Sequence, residues 1–455
     1  MKILCGYNAN IDAIYKVDGS QMAEMAESYR EEISEKIKDP PGFISSIPDF
    51  FAGLFTSMEK GTGAEWMVRD KEVSRWLRNN FLEGSLLRMG GNMGIMANVL
   101  SELGASRVIP NVANPSELQM SFFSRKAIFI PDGGEIQIDG SGGAFSTFES
   151  DENELIHFVF DFKKGEKFRF IENIISVPRE NRFIATYDPL NFELHIDEQF
   201  SRYALEHIGE MDGALISGYH LLRERYPDGS SYVEKLNRSL DQLKEWKVLN
   251  NKLYIHVEFG HFSSDKMAYD VFNSLFPLVD SIGINEDELA MLAHMSELDT
   301  SGILEMDAEA ILETAVSLCE VSGPGRVQIH TREFVLSVAS DMHLGAEHIL
   351  ETLHFGVNCA AAFACSGKLD ERENLLKIAS SIGRSKYGKE QVQNIADQIP
   401  SGDDGITRED SIFRKYREHF ICAVPTRLCG DPVATVGLGD TISSAIFLRE
   451  LELRA

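Results

Sequence analysis

The chain has 455 residues, of which 43% are hydrophobic and 25% are charged. This composition is that of a folded globular protein and excludes a disordered or collagen-like chain. Asp and Glu outnumber Lys and Arg by 71 to 44, giving a formal net charge of −27, which argues against nucleic acid or an anionic membrane as the main partner.

The first quarter of the chain predicts one buried strand and several helices. Lys2–Gly6 is short, apolar and ends at a glycine, as buried strands do. A glycine-rich stretch at 86–94 opens a helical run, and a short strand follows it. The helices are predicted at 22–38, 47–60, 72–80 and 95–103, and the second strand at 108–110.

Between about residues 121 and 178 phenylalanine recurs among glycines and charges. His157–Phe162 alternates apolar and polar residues, which is the pattern of a half-buried strand. We therefore expect a small antiparallel sheet here. Together with the helices of 16–84 it would form a separate lobe.

From about residue 183 onward, strands and helices alternate. Strands are predicted at 213–219, 252–258, 281–285 and 326–330, and helices at 231–247, 265–276, 307–321 and 442–451. This rhythm predicts a largely parallel sheet with helices on both faces. The polar stretch Pro400–Glu409 is interpreted as a surface loop.

The six cysteines are scattered, with no Cys-x-x-Cys pair and no zinc-ligand spacing. They predict reduced, mostly buried thiols of a cytoplasmic protein. The N-terminus lacks the order of a signal peptide, and we expect no membrane-spanning segment.

Polar side chains stand at the ends of several predicted strands. They are Asn10 with Asp12, His256 with Glu258, Asn285 with Glu288, and His330. In open parallel sheets ligands bind beyond the carboxyl ends of the strands, so these groups predict a site there.

Gly437-Leu438-Gly439-Asp440 precedes the last predicted helix. Gly437 and Gly439 permit a sharp turn, and the free amides of a helix start suit a phosphate group. Asp440 could take a proton from an attacking hydroxyl. Taken singly, each feature also has a structural reading: Asp440 as a helix N-cap, His256 and Glu258 as an ion pair, and Asn285 as an Asx-turn.

Five motifs in one order resemble the archaeal ADP-dependent sugar kinases of the ribokinase-like superfamily. The order runs through Asn10-Ile11-Asp12, Gly90-Gly91-Asn92, His256-Val257-Glu258, Asn285–Glu288 and Gly437–Asp440. The segments Gly6–Asp12 and Pro178–Phe183 look like the phosphofructokinase branch.

The resemblance implies a three-layer α/β/α sandwich with a mostly parallel central sheet, plus a smaller α/β lid domain. Segments 1–15, 85–115 and 181–455 would form the large nucleotide-binding domain, and 16–84 with 116–180 the lid. The lid would close over both substrates and keep water from the reaction.

The resemblance also implies the reaction and the residue roles. The β-phosphoryl group of ADP would pass to the 1-hydroxyl of fructose 6-phosphate, giving fructose 1,6-bisphosphate and AMP, with glucose as an additional or alternative acceptor. Asp440 would be the base, beside an anion hole formed by Gly437–Asp440. The remaining expected roles are metal binding by Glu258, Glu288 and Asp440 (Mg²⁺ or another divalent cation), nucleotide binding by Asn285, His330, Val424, Gly437 and Gly439, and sugar binding by Asn10, Asp12, Gly90, Gly91 and Asn92.

A phosphorylated sugar needs cations in an otherwise acidic protein. Lys163, Lys164, Arg179 and Arg182 are the candidates for the 6-phosphate, against the alternative that they only solubilise a sheet edge. In the family, glucose preference involves an acidic group from a lid helix. Ser57, Glu59 and Glu65 lie in or near that segment.

Three alternatives remain open: an ADP-dependent glucokinase, an ATP-using ribokinase-like kinase of a nucleoside or vitamin, and a non-catalytic sugar- or nucleotide-binding protein on the same fold. The ATP-using class should lack His-x-Glu, and a sensor needs neither a base nor a metal. We expect small-molecule partners, no nucleic acid or membrane partner, and a monomer or small homo-oligomer.

Overall fold

A computed structural model describes residues 1–132, 134–138, 154–171, 173–226, 228–322, 325–400, 405–408 and 410–455. Residues 139–153 of the predicted lid and 401–404 and 409 of the predicted loop lie outside the described residues. The described strands are β1 (Lys2–Gly6), β2 (Asn10–Lys16), β3 (Phe43–Ile44), β4 (Ala64–Val68), β5 (Leu86–Gly90), β6 (Arg107–Pro110), β7 (Phe129–Pro131), β8 (Glu135–Gln137), β9 (Ile156–Phe162), β10 (Lys167–Phe170), β11 (Asn173–Ser176), β12 (Asn181–Tyr187), β13 (Gly213–Ile216), β14 (Tyr254–Glu258), β15 (Ser281–Ile284), β16 (Arg326–His330), β17 (Phe334–Ala339), β18 (Ile406–Arg408), β19 (Ser411–Tyr416) and β20 (His419–Pro425).

Each predicted helix is present, although the one predicted at 95–103 begins at Asn92. Six described helices were not predicted: Glu117–Met120, Glu198–His207, Glu286–Met295, Ala346–Ser366, Arg372–Ser380 and Lys386–Gln398. The predicted helix 22–38 is two helices joined by a 3₁₀ turn at Glu27–Tyr29, and the last helix begins earlier, at Leu438. The described helices are α1 (Gly19–Ala26), α2 (Arg30–Lys38), α3 (Ile47–Lys60), α4 (Lys71–Phe81), α5 (Asn92–Glu102), α6 (Glu117–Met120), α7 (Glu198–His207), α8 (Tyr232–Leu249), α9 (Asp265–Leu275), α10 (Glu286–Met295), α11 (Ala308–Ser322), α12 (Ala346–Ser366), α13 (Arg372–Ser380), α14 (Lys386–Gln398) and α15 (Leu438–Arg454).

The main sheet has ten strands in the order β18-β19-β20-β17-β16-β15-β14-β13-β1-β6. The six strands from β16 to β6 are parallel, and β17 to β20 continue the sheet in antiparallel fashion. Every residue of β13, β14 and β15 is buried, as expected where helices cover both faces. The mostly parallel α/β class predicted from the sequence is confirmed.

The second sheet has six strands in the order β3-β4-β12-β9-β2-β5. It is mixed rather than antiparallel as predicted, because β9 pairs antiparallel with β12 and parallel with β2. The strand β2 comes from the N-terminal segment, so this pairing cannot be seen in the local pattern. The predicted domain boundaries stay a prediction. The strand order shows that β2, β5 and β12 belong to the second sheet.

The two faces of the second sheet differ in chemistry. One face packs Phe160, Phe162 and Phe183 against α3, where Phe50 and Phe51 belong to the same aromatic core. Because side chains alternate along a strand, the other face carries the polar residues of β2, β9 and β12. This polar face is the one that contributes to the site described below.

Two sequence expectations about the C-terminal part are wrong. Cys365 and Cys429 form a disulfide rather than remaining reduced, because the end of α12 lies beside the segment that follows β20. The other four cysteines are free and buried, as expected. Part of the predicted loop 400–409 is the strand β18, which pairs with β19.

The helix α12 is long and apolar enough to span a membrane by composition alone, contrary to the expectation that no segment would be. Most of it is buried, and it packs extensively along α15. Its apolar character is therefore accounted for by its place in the core.

Candidate active site

The carboxyl ends of three adjacent parallel strands bring acidic and imidazole side chains together. Glu258 is the last residue of β14, Asn285 follows β15, and His330 ends β16. Glu258 lies beside Gly283 on β15, where a side chain in place of the glycine hydrogen would collide with the Glu258 carboxylate. Glu258 can therefore occupy this position only because Gly283 has no side chain.

Glu258 and His330 form a buried pair, with 2.6 Å between Oε1 and Nε2. Burial opposes the charge on the imidazole, but Glu258 raises the pKa of His330 to about 9. The pKa of Glu258 is correspondingly held well below its usual range, despite burial. The predicted His256–Glu258 ion pair is looser, at 3.7 Å between Nε2 and Oε2. Glu258 Oε2 has no hydrogen-bond partner among the described residues.

Glu288 and Asn285 are joined at the start of α10. The Asn285 side chain accepts from the Glu288 amide at 2.9 Å, and Glu288 Oε1 accepts from Asn285 Nδ2 at 2.9 Å. Asn285 is therefore the N-cap of α10, and its expected contact with the nucleotide stays a prediction. Burial, followed by repulsion from Glu258, raises the pKa of Glu288 to about 8.

The turn before α15 places Asp440 beside this cluster. Gly437 has φ = 79°, a left-handed conformation that favours glycine, and it caps the helix. Burial, followed by repulsion from Glu258, raises the pKa of Asp440 to about 7. Asn92 at the start of α5 donates to Asp440 Oδ1 at 2.8 Å. The alternative that Asp440 is the helix N-cap is not realised, because Asp440 is in the first turn.

The predicted sugar-binding residues lie at the junction of the two sheets. Asn10 is buried and donates to Asp12 Oδ1 at 2.9 Å, and both belong to β2 of the second sheet. A side chain at Gly90 would collide with those two, and Gly91 has φ = 75° and packs against Asn10. Asn10 and Asp12 therefore begin the second sheet rather than ending a strand of the main sheet.

The four predicted phosphate cations do not lie together. Arg182 on β12 is half-buried and lines a cavity of about 650 Å³ that the segment 433–436 also lines. Arg179 instead donates to the Gly61 carbonyl at 2.5 Å, and Lys163 and Lys164 are exposed at the turn between β9 and β10.

Sequence reasoning missed two further cations of this cavity, Lys16 and Arg88. Burial raises the pKa of Asp161. The positive charges of Arg182, Arg88 and Lys16 oppose that rise, which shows that all three cations lie near the Asp161 carboxylate. Lys16 and Arg88 lie on alternate positions of β2 and β5 that face the cavity. The sequence could show this only if the pairing of β2 with β5 were already known.

Val424 and His330, which were predicted to bind the nucleotide, lie in different surroundings from those expected. Val424 on β20 is completely buried in a core that includes Val335 and Ile349. His330 is committed to Glu258 and faces Gly439, whose added Cβ would lie 3.2 Å from His330 Cε1. Neither side chain forms an open shelf for an adenine.

Comparison with known proteins shows the family of this chain. The sequence profile of the family described as ADP-specific Phosphofructokinase/Glucokinase conserved region matches residues 1–449. The chain is 30% identical to an ADP-specific phosphofructokinase of Pyrococcus abyssi, covering 98% of this chain and 97% of the relative. It is also 30% identical to an ADP-dependent glucose/glucosamine kinase of the same organism, covering 99% and 94%.

Solved structures show the same architecture. A phosphofructokinase from Pyrococcus horikoshii OT3 with AMP superposes with a TM-score of 0.83 at 26% identity, covering 99% of this chain and 98% of that one. An ADP-dependent kinase in complex with fructose-6-phosphate and ADPbetaS gives a TM-score of 0.77 at 26% identity, covering 99% and 93%.

The fold is that of an ADP-dependent sugar kinase. The chain belongs to the ADP-specific phosphofructokinase/glucokinase family, which the profile matches from residue 1 to residue 449.

Proposed function

We propose that this protein transfers the β-phosphoryl group of ADP to the 1-hydroxyl of fructose 6-phosphate, with AMP as the other product. The observation that carries the proposal is the position of Asp440: a buried carboxylate in the first turn of α15, oriented by Asn92 and beside the Glu258–His330 pair. The full-length relatives named as phosphofructokinases support fructose 6-phosphate as the acceptor.

Asp440 acts as the base in this proposal. Its pKa of about 7 means that it can be ionised at neutral pH and still accept a proton from the sugar hydroxyl. The amides at the start of α15 carry the partial positive charge of a helix N-terminus, which suits the phosphoryl oxygens during transfer. Gly437 and Gly439 leave room for these oxygens to approach the backbone.

The carboxylates of this cluster fit a divalent cation such as Mg²⁺. Glu258 Oε2 is buried without a partner among the described residues, and burial, followed by repulsion from Glu258, raises the pKa values of Glu288 and Asp440. Within the described residues no group of three side chains converges on one metal position, so waters and phosphate oxygens would complete the shell. When bound, the cation would neutralise charge on the phosphates, and Glu258 and Glu288 would hold it.

Arg182, Arg88 and Lys16 are our candidates for the 6-phosphate of the sugar. They lie on the polar face of the second sheet, in the cavity that is also lined by 433–436, the segment that leads directly to Gly437. Arg88 is paired with Asp12, with 3.3 Å between Nη2 and Oδ2, so a phosphate there would compete with Asp12 and with the nearby Asp161 for the cations. Asn10 and Asp12 lie on the same face and would bind hydroxyls of the sugar.

Glucose is a second candidate acceptor, and Glu65 is the observation that favours it. Glu65, which was expected near the lid helix, is on β4, and its Oε1 accepts from Thr186 on β12 at 2.7 Å. Its charge also raises the pKa of His157, as that of Asp12 does, so Glu65 and Asp12 lie around the same imidazole. An acidic group in this place could accept from a sugar hydroxyl.

A coupled assay that crosses ADP and ATP with fructose 6-phosphate and glucose tests these proposals. We expect turnover with ADP and fructose 6-phosphate, and loss of most of that turnover in Asp440→Asn with little change in ADP affinity. Activity with glucose that Glu65→Gln removes, while fructose 6-phosphate activity persists, would support the second acceptor. Turnover with ATP alone, or retained turnover in Asp440→Asn, would contradict the proposal.

The second sheet is proposed to act as a lid over this site. The cavity between its polar face and the segment 433–436 is open enough to need closure before transfer, since water competes with the sugar for the phosphoryl group. Small-angle scattering should show a smaller radius of gyration with both substrates than without them. An unchanged radius would count against closure.

A further inference from the structure

The polar face of the second sheet is interrupted by one row of apolar side chains. Residues that pair across neighbouring strands lie on the same face, so the strand register divides this face into rows. Ile14 of β2 pairs with Leu86 of β5 and with Val159 of β9. Val159 in turn pairs with Ile184 of β12. We call these four residues the apolar row.

Polar rows lie on either side of the apolar row. On one side, Asp12 of β2 pairs with His157 of β9. On the other side, Asp161 pairs with Lys16 and with Arg182. Positions two residues apart along a strand are separated by about 6.6 Å, so the two polar rows are about 13 Å apart.

The apolar row faces a cavity rather than the core. Ile14 and Ile184 are partly exposed, and Leu86 is 69% exposed. Ile14, Leu86 and Val159 line the same cavity of about 650 Å³ as Arg182. A molecule that contacts both polar rows must therefore cross the apolar row, whose side chains form no hydrogen bonds.

The meaning of the apolar row for the substrate rests on the proposed function, in which Asp12 binds sugar hydroxyls and Lys16, Arg88 and Arg182 bind the 6-phosphate. Carbon 6 of fructose 6-phosphate then lies against the apolar row and carries an ester oxygen that needs no donor. Free fructose carries a hydroxyl there instead, which would lose its bound water without gaining a partner. Because burying an unpaired polar group costs free energy, the row disfavours the unphosphorylated sugar.

We infer that Ile14 is a specificity-determining residue, through which the site selects a phosphorylated sugar over the free sugar. Ile14 lies between Asp12 and Lys16 on the same face of one strand, and both of its cross-strand partners are apolar. The row beyond it carries two cations, Lys16 and Arg182, and one carboxylate, that of Asp161. Its net positive charge suits a phosphate better than a neutral hydroxyl.

Glu65 is in line with the apolar row, because it pairs with Ile184 from β4. Its strand is three strands away from β2 in the sheet, which is about 14 Å at the usual strand spacing. The Glu65 carboxylate and the Ile14 side chain therefore face different parts of a bound sugar, and their effects on specificity can be tested separately.

Steady-state kinetics with ADP and either fructose 6-phosphate or free fructose test the inference, because the two acceptors differ only in the phosphate. Ile14→Thr keeps the branched β-carbon and adds a hydroxyl that can pair with the sugar. The ratio of kcat/KM for fructose 6-phosphate to kcat/KM for fructose should fall about tenfold, mainly through a lower KM for fructose.

Two further variants control this measurement, and a third repeats it. Ile14→Leu stays apolar and should keep the ratio within about twofold of the parent. Ile174→Thr makes the same change at a 64% exposed isoleucine of β11 and should leave the ratio as in the parent. Val159→Thr, an isosteric change in the same row and cavity, should lower the ratio even where Ile14→Thr does not fold.

The outcomes separate this inference from the proposed function. If the parent prefers fructose 6-phosphate and both threonine variants of the apolar row keep its ratio, the inference is overturned and the proposed function stands. A parent that uses fructose as well as fructose 6-phosphate also overturns the inference alone, because there is then no discrimination to remove. A parent that does not phosphorylate fructose 6-phosphate with ADP overturns both.

Discussion

Asn92 Nδ2 donates to Asp440 Oδ1 at 2.8 Å, which joins the first residue of α5 to the first turn of α15. Sugar binding by Asn92 stays a prediction, and the bond shows that its amide group also contacts the carboxylate of Asp440. The bond fixes one oxygen of that carboxylate, so that in the proposed reaction the other oxygen would face the incoming hydroxyl. It also lowers the pKa of Asp440 against the rise that burial and Glu258 cause.

The first prediction concerns this bond. Asn92→Ala removes a hydrogen bond to the charged form, so the pKa of Asp440 should rise further, by roughly one unit if the bond is worth about 1.5 kcal/mol. The acid limb of the pH profile of kcat should therefore move to higher pH. The control is Asn374→Ala, at an exposed asparagine bonded to Asp370. If kcat falls at every pH while the acid limb stays where it is, Asn92 supports the structure of the site and does not set the pKa of Asp440.

A second prediction separates two arginines of one segment. Arg182 lines the cavity beside Asp161, whereas Arg179 caps the Gly61 carbonyl on the outside of the second sheet. Arg182→Ala should raise the KM for fructose 6-phosphate at least tenfold with little change in the KM for ADP. Arg179→Ala is the matched control and should change neither KM by more than about twofold. Equal effects of both substitutions on the sugar KM would contradict the assignment of the phosphate to the cavity.

His157 gives a prediction of pH-dependent stability. Its Nε2 lies 2.9 Å from Oδ2 of the buried Asp188. Burial opposes protonation, but the bond to Asp188 outweighs it, and the pKa of His157 is raised. A raised folded-state pKa contributes stability that is complete below the unfolded value of about 6.5 and is lost as pH rises through the folded value.

Urea unfolding of the parent between pH 6 and pH 9 should therefore show a free energy of unfolding that falls as pH rises. His157→Gln, which keeps a donor but cannot titrate, should make this fall shallower without abolishing it, because the raised pKa values of His330, Glu288 and Asp440 act in the same direction. His294→Gln, at an exposed histidine paired with Asp265, should leave the slope as in the parent. An unchanged slope in His157→Gln would show that another group causes the dependence.

The sequence predicts local structure well where the signals are local. The bounds of α3 are those predicted, because Ser46 caps its start, Pro48 occupies its first turn and Gly61 ends it in a left-handed conformation. The strand ends that carry Glu258 and His330 were also found, since a short apolar run followed by a polar residue is enough to identify them.

The features that the sequence did not predict depend on contacts between distant parts of the chain. Arg88 reaches the site because β5 pairs with β2, and Cys365 meets Cys429 across 64 positions. Neither pairing has a signal in the residues themselves. The position of Asp12 in the second sheet was missed for the same reason, because a strand's sequence does not specify which sheet it joins.

Gly439 provides a prediction about the turn before α15. An added Cβ would lie 3.2 Å from Cε1 of His330, closer than the usual 3.5–4.0 Å between carbon atoms. Gly439→Ala should therefore push the imidazole away from Glu258 and lower kcat roughly tenfold to a hundredfold. Gly209→Ala is the control, since nothing lies within 4 Å of its added Cβ. Full activity of Gly439→Ala would show that the Glu258–His330 contact does not matter for transfer.

The disulfide gives the last prediction. Cys365 and Cys429 close a loop of 64 positions, and the chain beyond Cys429 is held to α12 by amides of Val433 and Ala434 that donate to the Ala364 carbonyl. A cross-link of this span restricts the unfolded chain and typically stabilises the fold by about 2–4 kcal/mol. Cys429→Ser should lower the free energy of unfolding in urea by about that amount. Dithiothreitol should lower it equally in the parent and leave the variant unchanged, so a parent that is insensitive to the reductant would contradict a stabilising role for the bond.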